Sequence, residues 1–94
     1  MTQNKQELNV HLDLFFSNIQ AYNQAIYQNR ANFARRSGIL EDVKFMLDLF
    51  ELVANSKFYE AYQKIQFMRE YLLGAIPRPL LIHIRDASKK QNNE

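Results

Sequence analysis

A long stretch from Lys5 to Arg36 that contains neither glycine nor proline constrains the fold more than any other feature of this sequence. Its apolar residues recur at alternating steps of four and three and then one step of seven, with Asn29 at the skipped site, which places their side chains on one face of an α-helix. A β-strand would require steps of two throughout. We therefore predict one long helix over about 5–36 that packs against other helices along Leu8, Leu12, Phe15, Ile19, Tyr22, Ile26 and Phe33.

Four more apolar residues lie between the members of this stripe: Val10, Leu14, Phe16 and Tyr27. We interpret them as a widening of the stripe, because a helix inside a bundle has a broader apolar face than a helix in a two-stranded coiled coil. The other positions of the stretch are mostly Asn, Gln, Ser and Ala, and we assign them to the outer side of the helix.

Breaks in the helical pattern divide the rest of the chain. Ser37 and Gly38 end the first helix, because glycine favours the left-handed conformation that follows a helix C-terminus. A second helix is predicted over about 39–54, and its apolar character on all but one narrow stripe indicates a central position. A third helix is predicted over about 57–73, with Ser56 as its N-cap.

Two prolines stop the third helix, and a short fourth helix over about 79–89 begins at the second of them. The ends, 1–4 and 90–94, are expected to fray. A chain of 94 residues builds a single core, and two glycines and two prolines provide too few turns for an all-β fold. The sequence therefore predicts one all-α domain over 1–94, a four-helix bundle with a long first helix.

Several kinds of chemistry lack candidate residues. The chain has no cysteine, and its two histidines, His11 and His83, have no second ligand at a metal-binding spacing. Two glycines cannot form a glycine-rich phosphate loop. The carboxylates of the second helix share its polar stripe, so we interpret them as a solvated face: Glu41, Asp42, Asp48 and Glu51. We expect a protein that is not an enzyme, with no catalytic residue, no metal and no cofactor.

The expected location is the cytoplasm. The first residues, Met1 to Glu7, are polar and lack the apolar core of a secretion signal. No run approaches the roughly 18 consecutive apolar residues of a membrane span.

The aromatic residues of the third helix are the best indication of function. Tyr59, Phe67 and Tyr71 lie off its inner stripe, and Arg69 lies among them. Aromatic residues and arginine are enriched at the energetic centres of protein interfaces. We predict that these four residues bind a protein partner; the alternative is that they pack beneath the fourth helix or the end of the first.

Basic residues at two helix ends give a second hypothesis, a regulator associated with nucleic acid. Arg35 and Arg36 end the first helix, and four more basic residues lie near the fourth: Arg78, Arg85, Lys89 and Lys90. A net charge of +2 is too small to indicate nucleic-acid binding by itself. We rank this hypothesis below the protein partner.

The lengths of the helices bear on oligomeric state. At 1.5 Å per residue the first helix spans roughly 45 Å and the next two roughly 25 Å each. Either the fourth helix or a second copy of the chain covers the surplus of the first helix, since leaving apolar surface in water costs about 25 cal/mol per Å². We expect a homodimer.

The organisation resembles that of the small four-helix immunity proteins that protect bacteriocin producers. The shared features are the length, the basic charge, the absence of cysteine and the proline-interrupted connection before an apolar helix. The chain differs in placing the long helix first and a short helix last. Type III secretion chaperones, phage-encoded regulators and helical scaffold subunits share these features, and the resemblance implies a small regulatory, immunity-type or chaperone-like protein that binds another protein.

Overall fold

The computed structural model of this chain describes residues 2–28 and 39–92. The predicted end of the first helix, with Arg35 and Arg36, and the Ser37–Gly38 break lie outside these residues. The described ranges contain helices and no strand, so the all-α prediction is confirmed. The helices are α1 (Thr2–Gln28), α2 (Ile39–Ala54), α3 (Phe58–Ile65), α4 (Glu70–Leu73) and α5 (Arg78–Asn92).

The core forms where α2 packs between α1 and α3. Helix α5 packs along α3 and also contacts α1, so the four longer helices contact one another in a ring. The stripe predicted for α1 reaches this core, with Phe15 and Ile19 fully buried and Leu8 and Leu12 partly buried. The other fully buried large side chains come from α2 and α5: Met46, Leu49, Val53, Leu80 and Ile84.

The interpretation of Val10 and Leu14 as part of the inner stripe is wrong. Their side chains are 55% and 49% exposed. At 100° per residue they lie on the side of α1 opposite Phe15 and Ile19. Within the described residues, α2 and α5 cover the inner stripe of α1, and Asn18 donates a 2.6 Å hydrogen bond to the Ala75 carbonyl before α5.

The predicted third helix over 57–73 is not continuous. The backbone N–H groups of Phe67 and Met68 donate to carbonyls three residues earlier, at 3.1 and 2.9 Å, which is the tight 3₁₀ pattern at a helix end. Arg69 is then extended, with φ −74° and ψ 151°, and α4 begins at the next residue. The break redirects the chain so that Leu72 and Ile76 enter the core, at 2% and 4% exposure.

The assignment of Ser56 as the N-cap of the third helix is also wrong. Ser56 has φ 60° and follows the end of α2, where its N–H donates to the Val53 carbonyl at 3.0 Å. The next N–H, that of Lys57, donates to Leu52 at 2.8 Å, which completes a Schellman motif with serine in the position usually taken by glycine. Lys57 is the N-cap of α3, without a side-chain capping bond.

The last helix is longer than the predicted 79–89, and the chain ends predicted to fray are helical at 2–4 and 90–92. The side chain of Gln91 accounts for the helical conformation of residues 90–92. Its side-chain carbonyl accepts from the Tyr59 backbone N–H at 2.9 Å, and its amide donates to the Ser56 carbonyl at 2.7 Å. These bonds attach the end of α5 to the turn between α2 and α3.

Two isoleucines of α5 test this arrangement. Ile84 is fully buried, whereas Ile82 is 43% exposed. We expect Ile84→Ala to lower the free energy of unfolding by about 2–5 kcal/mol, because it leaves a cavity in the core. The matched control Ile82→Ala should change it by about 0.5 kcal/mol or less. Urea unfolding followed by circular dichroism measures both, and equal losses would contradict this orientation of α5.

Candidate partner-binding site

The break after α3 gathers three of the four predicted partner-binding residues at one corner. Phe67 and Arg69 lie in the turn between α3 and α4, and Tyr71 lies in α4. Tyr59 is in the first turn of α3, about 12 Å away along the helix axis. Its backbone is bound to Gln91 of α5, so Tyr59 belongs to a different part of the surface.

Phe67 is the most exposed large apolar side chain in the described part of the chain. Its side chain is 82% exposed, against 54% for Tyr71 and 38% for Tyr59. Phe67 therefore does not pack beneath the last helix in the described part of the chain, whereas the predicted end of the first helix lies outside the described residues. A phenylalanine in water has an unfavourable hydration free energy of about 25 cal/mol per Å² of exposed apolar area, which burial against a partner would remove.

A polar cluster beside Phe67 connects α2 to α4. The Tyr71 hydroxyl donates to Asp42 Oδ2 at 2.6 Å and accepts from Arg69 Nη1 at 3.1 Å. Arg69 Nη1 lies 3.9 Å from the same carboxylate oxygen. Asp42 is only 8% exposed, so its interpretation as part of a solvated face is wrong. The buried carboxylate requires these donors, because an unpaired buried charge is strongly unfavourable.

Arg69 contributes a permanent positive charge to this cluster, because a guanidinium stays protonated in proteins. Its pKa is raised above the ordinary arginine value, first by the hydrogen bond to Tyr71 and then by electrostatic interaction with Tyr71 and with the Asp42 carboxylate. Because the Arg69 side chain is 63% exposed, this charge is accessible to a partner.

A small pocket of about 200 Å³ opens next to this cluster. Apolar atoms of Phe45, Met68 and Leu72 line it together with Phe67, and Glu41 adds an acidic group. Pockets for small molecules and cofactors commonly measure about 300–1,000 Å³, so this one is better suited to a single inserted side chain. The Lys64 ammonium lies 4.5 Å from the centre of the Phe45 ring and borders the same region.

Asp42 and Phe45 are parts of this corner that the sequence pattern alone did not identify. A signal for Asp42 was present, because Asp42, Met46, Leu49 and Val53 follow steps of four, three and four along the buried face of α2. A carboxylate at the end of a buried stripe requires a donor from another element. No comparable signal identifies Tyr71 as that donor, since its position depends on the break before α4.

The structure places three of the predicted basic residues on one side of α5. Arg78, Arg85 and Lys89 are exposed and follow steps of seven and four, so they share one side of α5, while Lys90 points about 100° away from Lys89. Arg85 is 3.3 Å from the Asp86 carboxylate of the same helix.

The described residues contain no group of three or more side chains that could bind a metal ion. His83 packs edge-on against the Phe58 ring, with 5.2 Å between the two ring centroids.

No protein-family model, curated protein or solved structure matches this chain. The resemblance to four-helix immunity proteins therefore stays one of sequence organisation. Among the helices of the described ranges, none has the length and apolar character that a membrane crossing requires.

The contribution of the Tyr71 hydroxyl to the stability of the fold can be measured by mutation. Tyr71→Phe removes the short hydrogen bond to the buried Asp42 carboxylate and should lower the free energy of unfolding by about 1–3 kcal/mol. Tyr59→Phe, which removes a hydroxyl at the other end of α3, is the matched control and should have little effect. Urea unfolding of both variants, with Asp42→Asn in a double-mutant cycle, gives the coupling energy. A coupling near zero would contradict the assigned bond.

Proposed function

We propose that this chain is a non-enzymatic protein–protein interaction module that binds a protein partner at the corner formed by Phe67, Arg69, Tyr71, Asp42 and Phe45. The observation that carries the proposal is the 82% exposure of Phe67 beside a pocket of about 200 Å³. A small regulator, an immunity-type protein or a chaperone-like protein would each use such a module.

The composition of the corner favours a protein partner. It combines exposed aromatic rings with an arginine, the residue types enriched at interface hot spots. The bonds among Tyr71, Asp42 and Arg69 hold the Tyr71 and Arg69 side chains in place before binding, which reduces the entropy that these two side chains lose on association.

The pocket and its charges define the partner's chemistry. The pocket has room for one apolar side chain, and Phe67 would cover that side chain from the edge. Asp42 is paired with Arg69, whereas Glu41 at the rim is exposed. We therefore propose a partner segment with one large apolar residue next to a lysine or arginine, whose charge complements Glu41.

Phe67→Ala tests the proposal. We expect the free energy of unfolding to stay within about 0.5 kcal/mol of the wild type, because the side chain makes few contacts in the free protein. Binding to the partner should weaken by about 2 kcal/mol or more, roughly 30-fold, as for an interface hot spot. The immobilised full chain and its variant are compared as baits in extracts of the source cells. Titration calorimetry with the purified partner then gives the affinities.

Two control variants separate binding from folding. Phe58→Ala removes a buried ring of α3 and should destabilise the fold by about 3–5 kcal/mol. Tyr59→Ala removes an exposed aromatic outside the corner and should leave the affinity unchanged. A partner that binds Phe67→Ala as tightly as the wild type would overturn the proposed site.

The only structural support for the nucleic-acid hypothesis is that Arg78, Arg85 and Lys89 lie on one side of α5. If all three reach phosphates, binding to a short duplex should show a log–log salt slope of about −2.7, at about 0.9 per phosphate contact. Fluorescence anisotropy with labelled duplex DNA between 50 and 200 mM salt measures it. Absence of binding at 50 mM would remove this alternative.

A further inference from the structure

Helix α1 carries a second line of residues at heptad spacing, on the side that faces away from the core. Its members follow alternating steps of three and four, and all of them are exposed: Glu7, Val10, Leu14, Ser17, Ala21, Gln24 and Gln28. From Val10 to Gln28 this line contains no charged residue. We call it the outer line of α1.

We propose that the outer line binds the outer line of a second copy of this chain in the antiparallel direction, forming a symmetric homodimer. The sequence expectation of a homodimer relies on a surplus of the inner stripe, whose predicted far end at Phe33 lies outside the described residues; the part of the stripe from Leu8 to Ile19 packs into the core. The outer line places the interface on the opposite side of the same helix.

The order of large and small residues in the outer line favours this direction. With the two-fold axis between positions 15 and 16, Leu14 of one copy lies opposite Ser17 of the other, and Val10 lies opposite Ala21. Each large side chain thus meets a small one, which permits close packing of the two helices. Leu14 and Ala21 occupy one heptad position of the outer line, and Val10 and Ser17 occupy the other. Antiparallel coiled coils pair residues of one position with residues of the other, and a two-fold axis makes every such contact occur twice.

Glu7, the only charged residue in the outer line, also favours the antiparallel direction. In the antiparallel arrangement Glu7 lies opposite Gln24, whose amide can donate to its carboxylate. The two Glu7 side chains are then about 25 Å apart along the helix, well beyond a Debye length of about 8 Å at physiological salt. A parallel arrangement would place the two Glu7 carboxylates side by side, where they would repel each other.

The size of the surface sets the strength of the dimer. Helix α1 is about 40 Å long and about 10 Å wide, so each copy contributes roughly 400 Å². The total of roughly 800 Å² is below the 1,200 Å² or so of a stable complex. A groove of about 760 Å³ beside Glu7 and Val10, bordered by Pro79 of α5, offers the second copy some additional surface. We therefore expect a dimer that forms at high micromolar concentration.

Sedimentation equilibrium of the full chain between 10 µM and 1 mM tests the proposal. The average mass should rise from one chain toward two across this range. Leu14→Glu should keep the mass at one chain throughout, because it places a carboxylate in the centre of the interface. Leu47→Glu makes the same substitution at a similarly exposed leucine of α2, away from the outer line, and should dimerise like the wild type. Circular dichroism verifies that both variants are folded.

Engineered cysteines test the direction, since the chain has no cysteine of its own. A mixture of Leu14→Cys and Ser17→Cys chains should form a mixed disulfide faster than either variant forms a disulfide with itself. Preferential Leu14→Cys self-pairing would overturn the antiparallel direction. A mass of one chain up to 1 mM, or equal dimerisation of Leu14→Glu and Leu47→Glu, would overturn the interface. Neither result depends on the Phe67 corner, so the two proposals fail separately.

Discussion

The burial of one face of α2 is the constraint on which the other features depend. Met46 and Leu49 are fully buried between α1 and α3, and the heptad that contains them begins with Asp42. The same packing that forms the core therefore buries a carboxylate. That carboxylate requires a donor, and the Tyr71 hydroxyl provides it from α4. Docking α4 at this point requires a break after α3, and the break leaves Phe67 in an exposed turn.

Most of the fold could be predicted from the sequence because it depends on local periodicity. The helical pattern of α1, α2 and α5 and the prolines at the start of α5 act within a few residues of where they occur. The break after α3 could not be predicted, because Ile65, Met68 and Leu72 keep helical spacing across it and no glycine or proline marks it. The break is accompanied by contacts between residues that are distant in sequence: the hydrogen bond from Tyr71 to Asp42, 29 residues apart, and the burial of Leu72 in the core.

The misassignments have physical causes of the same kind. Val10 and Leu14 were assigned to the inner stripe because apolar identity does not by itself distinguish two heptads on opposite sides of one helix. Ser56 is a common N-cap residue, yet it ends α2 in the left-handed conformation instead of beginning α3. For the site, residue type identified Phe67, Arg69 and Tyr71, whereas the separation of Tyr59 from them required the three-dimensional structure.

The turn that contains Phe67 closes with hydrogen bonds to carbonyls only three residues back, and the Phe67 side chain itself lies outside the core. Its neighbours are anchored on both sides, because Met68 packs against the core and the Tyr71 hydroxyl bonds to Asp42. Side chains with few buried contacts move at a lower cost in free energy than those around them. The Phe67 ring can therefore change its orientation while the backbone of the turn stays attached to the core.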